Sequence, residues 1–140
     1  MGANTTITDS TTVLSRFDRP SNKLLSREVA LPGQSDRVVN LVLGYEAGPW
    51  SARVASNSKS RYLLQTGSDV VDASQDAWVD GQKQIDLSVK YQINKSTLLS
   101  FEGLNLNKEK YYVYLGNQKY NVQNEQYGRT FRISLTMTQF

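Results

Sequence analysis

The last segment of the chain alternates apolar with polar residues and ends on an aromatic residue, Phe140. The apolar positions after Gly128 are Phe131, Ile133, Leu135 and Met137, and the residues between them are Arg132, Ser134 and Thr136. Because successive side chains of an extended strand point to opposite faces, this pattern predicts a β-strand with one apolar and one polar face. We expect it to be the closing strand of an outer-membrane β-barrel, with lipid on one face and a wet lumen on the other.

The composition excludes several kinds of chemistry. The 140 residues include no cysteine and no histidine, which removes disulfides, Cys/His zinc sites, Ser-His-Asp triads and Cys-His nucleophiles. The net charge is only +3, and the lysines and arginines are scattered instead of forming a phosphate-binding stripe. We therefore predict that the protein is not an enzyme, has no catalytic or metal site and no cofactor, and does not bind nucleic acid.

Alternation with a period of two recurs in about six segments and helical periodicity is nearly absent. The clearest case is Gln84 to Ile93, in which Ile85, Leu87, Val89 and Tyr91 alternate with polar residues. We predict one all-β unit over residues 1–140, an antiparallel up-and-down meander that is a partial segment of a transmembrane β-barrel. The predicted strands cover roughly residues 2–10, 36–46, 49–63, 81–93, 97–107 and 128–140.

The predicted connections alternate in length. They are short at Ala47–Gly48 and Asn94–Lys95, and long at residues 11–35, 65–80 and 108–127, so all long loops lie on one side. Outer-membrane barrels have this asymmetry, with short periplasmic turns and longer extracellular loops. Aromatic residues also fall near both ends of the predicted strands, as the two interfaces of a bilayer favour.

The first residues lack both a basic n-region and an apolar h-region, and no apolar run approaches the roughly 20 residues of a transmembrane helix. An outer-membrane protein has to be exported. We therefore expect residues 1–140 to be the tail of a longer precursor.

Four motifs together carry a family resemblance. They are Leu31-Pro32-Gly33-Gln34-Ser35, the run from Gly48 to Val54, the run from Phe101 to Tyr112, and Tyr127-Gly128-Arg129-Thr130-Phe131. In content, order and spacing they resemble the C-terminal barrel region of TonB-dependent outer-membrane receptors, over nearly the whole chain.

This resemblance implies the active uptake of a scarce ligand, such as a ferric siderophore, a vitamin or a glycan, in the bacterial outer membrane. The family barrel has about 22 strands and is plugged by an N-terminal domain. The implied partners are the lipid bilayer, that plug with the remaining barrel strands, the TonB complex through the N-terminal region, and the barrel-assembly machinery through the C-terminal strand. The motifs match barrel strands only, so we expect no transport by this chain alone.

Strand parity and composition, interpreted as those of a barrel, also give candidate residues. Polar-face residues expected to line the lumen are Arg53, Asp86, Lys90, Glu102 and Arg132. Tyrosines expected to contact a ligand from the long loops are Tyr114, Tyr120 and Tyr127. Residues of the closing strand expected to serve as the assembly signal are Phe131, Ile133, Leu135, Met137 and Phe140.

The closing strand departs from the family pattern at its end. In the family the apolar row continues in phase to the terminal aromatic residue, whereas here it ends at Met137 and Phe140 has the opposite parity. One extra residue in a bulge near Thr138–Gln139 would restore the phase.

Two other functions fit the same alternation. A small soluble β-barrel or sandwich could bind an apolar ligand, with Ile85, Leu87 and Val89 pointing inward. An interaction module could use the exposed strand edges of an incomplete sheet.

Overall fold

The computed structural model describes residues 1–138, and its regular structure is almost entirely extended. The strands in chain order are β1 (Gly2–Ile7), β2 (Thr11–Asp18), β3 (Lys23–Ala30), β4 (Arg37–Ala47), β5 (Trp50–Lys59), β6 (Tyr62–Gln65), β7 (Ala77–Val79), β8 (Gln82–Asn94), β9 (Thr97–Leu104), β10 (Lys110–Leu115), β11 (Asn121–Gln126) and β12 (Thr130–Met137). The helical structure in the described residues is a single 3-10 turn at Ala73–Gln75.

Six of these strands form one antiparallel sheet in the order β1-β4-β5-β8-β9-β12. The predicted all-β antiparallel meander is therefore confirmed. Within residues 1–138 the sheet does not close on itself, because β1 and β12 each pair on one side only. Phe140 and Gln139, one of the two residues near which a bulge is predicted, lie outside the described residues.

Tight turns join neighbouring strands at one end of this sheet. Between β4 and β5, Gly48 has φ +54°, a left-handed conformation that glycine adopts without steric cost. Between β8 and β9, the side-chain oxygen of Asn94 accepts a hydrogen bond from the backbone N–H of Ser96 at 3.0 Å. These local signals produce the two short connections that the sequence predicts.

The three predicted long loops are wrong as loops, because each contains strands. Residues 11–35 contain the hairpin β2–β3, residues 65–80 contain β7, and residues 108–127 contain β10 and β11. The hairpin was missed because the adjacent apolar residues Val13 and Leu14 interrupt the period of two. Strand β7 has only three residues, too few for any periodicity, and is extended because β6 and β10 pair with it on both sides.

The predicted strand 49–63 is also wrong, since it is two strands in different sheets. Strand β5 ends at Lys59, and β6 belongs to a second sheet of order β11-β10-β7-β6. Predicted strand 97–107 ends earlier, at Leu104, because Asn105 takes φ +54° and turns the chain. We call the hairpin β2–β3, strands β6, β7, β10 and β11 and the turns between them the cap. It lies at the end of the six-stranded sheet opposite the tight turns.

The buried core lies in the cap and not in the six-stranded sheet. Ala77, Val79 and Val113 form its centre, and Tyr62 and Tyr111 are among the side chains that pack against them. Leu63 and Val79 are completely buried. The connections that were predicted as loops thus form a packed unit of their own.

A buried ion pair attaches the hairpin to the rest of the cap. The carboxylate of Asp76, 2% exposed, accepts hydrogen bonds from both terminal nitrogens of Arg27 at 2.7 and 3.0 Å, and from the N–H of Gly67 at 2.9 Å. Arg27 Nε also donates to the carbonyl of Val70 at 2.9 Å. Burial by itself raises the pKa of Asp76. The hydrogen bonds from Arg27 and Gly67 and the charge of the guanidinium lower it by more than burial raises it, so the pKa of Asp76 lies below its ordinary value.

The substitution Asp76→Asn should destabilise the cap by about 3 kcal/mol, because it removes the buried carboxylate that pairs with the largely buried guanidinium of Arg27. The measurement is amide hydrogen exchange in β3 and β7 of the full chain in detergent micelles. The matched control is Glu102→Gln, which breaks the exposed Arg132–Glu102 pair of 3.4 Å and should cost less than about 1 kcal/mol. Equal effects of the two substitutions would show that the Arg27–Asp76 pair does not hold the cap.

The same pair predicts a pH dependence. The pKa of Asp76 is lower in the folded protein than in the unfolded chain, where a carboxyl group titrates at about 3.9. The stabilisation is therefore complete above that value and is lost as the pH falls through the lowered folded pKa. Hydrogen exchange measured at decreasing pH should show the acid-induced loosening of the cap in the original protein and not in the Asp76→Asn variant.

Candidate functional site

The six-stranded sheet has an apolar face that no other element covers within the described residues. Its exposed members are Leu41, Leu43, Tyr45, Trp50, Val54, Leu99, Phe131, Ile133, Leu135 and Met137. Ile133 is 74% exposed and Met137 is 70% exposed. Large apolar side chains scattered singly over a surface are ordinary, but a continuous sheet face of them marks contact with lipid, protein or an apolar ligand.

The strand register makes this face continuous. Tyr45 lies opposite Ala52, Ala52 opposite Val89, Val89 opposite Phe101, and Phe101 opposite Ile133. One row of side chains therefore crosses five strands on the same face. A shift of one residue in any pairing would turn that strand's apolar set to the other face, so the observed register is the one that keeps the two faces distinct.

Aromatic residues gather on the apolar face beside the tight turns. The rings of Trp50 and Tyr91 lie 4.4 Å apart between centroids, and Tyr45 is 64% exposed. At the opposite end, Tyr62 and Tyr111 pack into the cap core instead of facing outward. The structure therefore places Tyr45, Trp50 and Tyr91 together on the apolar face beside the tight turns.

The opposite face is polar, concave and charged. Four of the five predicted lumen residues, Arg53, Asp86, Lys90 and Glu102, line one depression of about 500 Å³. The fifth, Arg132, pairs with Glu102 across β9 and β12 at 3.4 Å. The structure thus brings all five together on one side of the sheet.

A ladder of amide side chains, not predicted from the sequence, crosses this polar face. Asn40 donates to the side-chain oxygen of Asn4 at 2.8 Å, and Asn57 donates to that of Asn40. The ladder crosses β1, β4 and β5 where the three asparagines are register partners. The available signal was an asparagine at the polar parity of each strand, but only the register shows that the three align.

The three predicted ligand-contacting tyrosines have different surroundings. Tyr114 is only 1% exposed, so its prediction as a ligand-loop residue is wrong. It lies within β10, which β7 and β11 cover on both edges, and is not on a loop. Tyr120 and Tyr127 are 69% and 72% exposed and remain accessible to a ligand.

Tyr127 is oriented by a neighbouring carboxylate. Its hydroxyl donates a hydrogen bond to Glu125, and that hydrogen bond raises the pKa of Tyr127 and lowers the pKa of Glu125. The ring of Tyr127 is therefore held at the start of the segment that leads into β12.

The closing strand has its predicted apolar row on the apolar face. Phe131, Ile133, Leu135 and Met137 are all exposed, and β12 pairs with β9 from Thr130 to Met137. The ring of Phe131 stacks on that of Phe101 with centroids 6.1 Å apart. The other edge of β12 has no pairing strand within residues 1–138.

Between Met1 and Thr138 there is no group of three or more acidic side chains that could hold a metal ion. None of the helical structure in that part of the chain has the length and apolar character of a membrane span. A scan against protein-family models and searches of curated proteins and of solved structures found no match to this chain.

Proposed function

We propose that this chain forms part of the barrel wall of a TonB-dependent receptor in the bacterial outer membrane, in the C-terminal region of that barrel. Such a receptor takes up a scarce ligand such as a ferric siderophore, a vitamin or a glycan. The observation that carries the proposal is the uncovered apolar face of the six-stranded sheet, opposite a concave and charged face. The four sequence motifs support it independently.

Contact of the apolar face with lipid is more favourable than its contact with water. Transfer of apolar surface from water to hydrocarbon contributes about 25 cal/mol per Å². A spanning strand of a barrel needs about 9–11 residues. Strands β4, β5 and β8, with 11, 10 and 13 residues, reach or exceed this length.

Lipid also requires that every backbone polar group has a partner, since an unpaired N–H or C=O in hydrocarbon costs several kcal/mol. Strands β4, β5, β8 and β9 are paired on both sides. The outer edges of β1 and β12 have no partner in residues 1–138, and the proposal supplies them with neighbouring strands of the same receptor. Because closed single-chain barrels begin at about eight strands, we assign no pore or transport activity to the six-stranded sheet alone.

The proposal also orients the protein. The tight turns face the periplasm and the cap faces the outside of the cell, where it meets the ligand. The charged face lines the lumen, against which the receptor's plug packs, and the TonB complex acts through that plug. Strand β12 is the contact for the barrel-assembly machinery. The proposal gives no residue of this chain a catalytic role.

Leu87 and Ser88 test which face meets lipid. They are consecutive on β8, with Leu87 in the apolar row beside Val54 and Ser88 in the polar row beside Arg53. Leu87→Arg should reduce the stability of the folded receptor in bilayers by about 2–4 kcal/mol, whereas Ser88→Arg should cost much less. The measurement is reversible unfolding in lipid vesicles. Equal penalties, or the larger penalty at Ser88, would show that Leu87 does not face an apolar environment and would argue against the membrane orientation.

Cysteine labelling tests which end faces outward, and the chain has no natural cysteine to interfere. Asn22 lies in the turn of the cap hairpin, and Lys95 lies in the tight turn between β8 and β9. In intact bacteria that carry the receptor, a membrane-impermeant maleimide should label Asn22→Cys and spare Lys95→Cys. Permeabilised cells should show labelling of both. Labelling of Lys95→Cys alone in intact cells would show that the tight turns face outward and the cap faces the periplasm.

A further inference from the structure

A second depression, of about 430 Å³, lies where the polar face of the six-stranded sheet meets the cap. Its floor is the outer end of β5 and β8, and one wall is formed by the start of β10 and the segment before β12. Asn57, Gln82 and Gln84 come from the floor, and Tyr111 and Tyr127 from the wall. We call this depression the mouth pocket. It is separate from the charged depression around Arg53 and Lys90.

The three floor amides present free hydrogen-bond acceptors. Gln84 donates through Nε2 to the carboxylate of Asp86 at 2.9 Å, which fixes its oxygen as the free end of the amide. Asn57 donates to Asn40, and Gln82 donates to the carbonyl of Lys110 at 3.4 Å. The side-chain oxygens of all three accept no hydrogen bond from residues 1–138. A ligand that satisfies them must therefore carry several O–H or N–H donors.

The two tyrosines supply flat apolar surface beside these acceptors. Tyr127 is 72% exposed, and its hydroxyl is held by Glu125, so its ring is oriented before any ligand arrives. Tyr111 is half-buried against the cap core. An aromatic ring offers a large contact area at small entropic cost and suits the C–H face of a pyranose ring.

The charged groups of the mouth pocket are two lysines and one glutamate, so its net charge is small, and it lacks the arginine that would bind an anion with two parallel hydrogen bonds. The lysines are Lys59 and Lys110, and the glutamate is Glu109. The ammonium group of Lys59 lies 5.2 Å from the centre of the Tyr62 ring. An anionic ligand is an acceptor of hydrogen bonds and would leave the three amide oxygens of the floor unsatisfied.

We propose that the mouth pocket binds an uncharged, hydroxyl-rich ligand, namely an oligosaccharide. Hydroxyl groups donate to the oxygens of Asn57, Gln82 and Gln84, and a sugar ring stacks on Tyr127. This inference rests on the proposed function in one respect, because it is the barrel orientation that makes the mouth pocket a site on the route of an incoming ligand.

The experiment is saturation-transfer-difference NMR on the full chain in lauryldimethylamine-oxide micelles, since a maltoside detergent would itself occupy a sugar site. The probes are maltohexaose, cellohexaose, xylohexaose and mannohexaose, with trigalacturonate and ferric citrate as anionic probes. At least one neutral hexaose should receive saturation transfer. Tyr127→Ala should weaken its binding about tenfold, the effect of losing one aromatic stack. Tyr127→Phe, which keeps the ring and loses the hydrogen bond to Glu125, should bind more tightly than Tyr127→Ala and less tightly than the original protein.

The matched control is Tyr120→Ala, because Tyr120 is similarly exposed, at 69%, and does not line the mouth pocket. Gln82→Met removes one of the three amides and should weaken binding of the neutral hexaose. Binding of an anionic probe alone, with loss in Lys110→Met, would overturn the proposal. Absence of binding by all four hexaoses, in a chain whose β3 and β7 amides are protected from exchange, would also overturn it.

The outcome can be separated from that of the proposed function. Sugar binding in micelles does not depend on which face meets lipid, and the Leu87 and Ser88 comparison does not depend on any sugar. If no hexaose binds but Leu87→Arg destabilises the protein more than Ser88→Arg, the proposed receptor function stands and its ligand is not an oligosaccharide. If a hexaose binds but Leu87→Arg is no more destabilising than Ser88→Arg, the mouth pocket is a sugar site in a protein that does not face lipid as proposed.

Discussion

In the six-stranded sheet, backbone hydrogen bonding between neighbours forces successive side chains to opposite faces, and the position of every candidate site residue on the sheet depends on this constraint. The register carries an apolar row from Tyr45 to Ile133 on one face and a charged row that includes Arg53, Glu102 and Arg132 on the other. Neither face is a conventional core. One face of the sheet is therefore suited to an apolar environment and the other to water.

The cap follows a different principle, because it has a core of its own. Val79 and Val113 are buried between strands that are distant in the sequence, and the Arg27–Asp76 pair ties the hairpin to them. A buried pair of this kind is costly to break and does not by itself add much stability, so its main effect is to fix one arrangement of the cap. In consequence the rim of the mouth pocket, including Tyr111, rests on a packed support and not on flexible loops.

The sequence predicted most of the sheet and little of the cap. Strands such as β8 have long alternating runs, and their turns carry local signals such as Gly48, so both could be found without any knowledge of the fold. Strand β7 and the burial of Tyr114 could not, because a three-residue strand has no periodicity and a tyrosine on a polar segment resembles a loop residue. The five lumen candidates were predicted by parity, and their meeting in one place required the register.

The sequence by itself determined that the chain is β-structured, which residues share a strand face, and where the tight turns lie, because these properties depend on neighbours a few positions apart. Only the tertiary structure decided the register of the paired strands, that the long connections form a second sheet, and that Asn57 and Gln84 come to lie beside Tyr127. Those outcomes depend on contacts between residues far apart in the chain. A local sequence pattern cannot predict such contacts, because the residues around Asn57 would show the same alternation whether or not Gln84 and Tyr127 lay nearby.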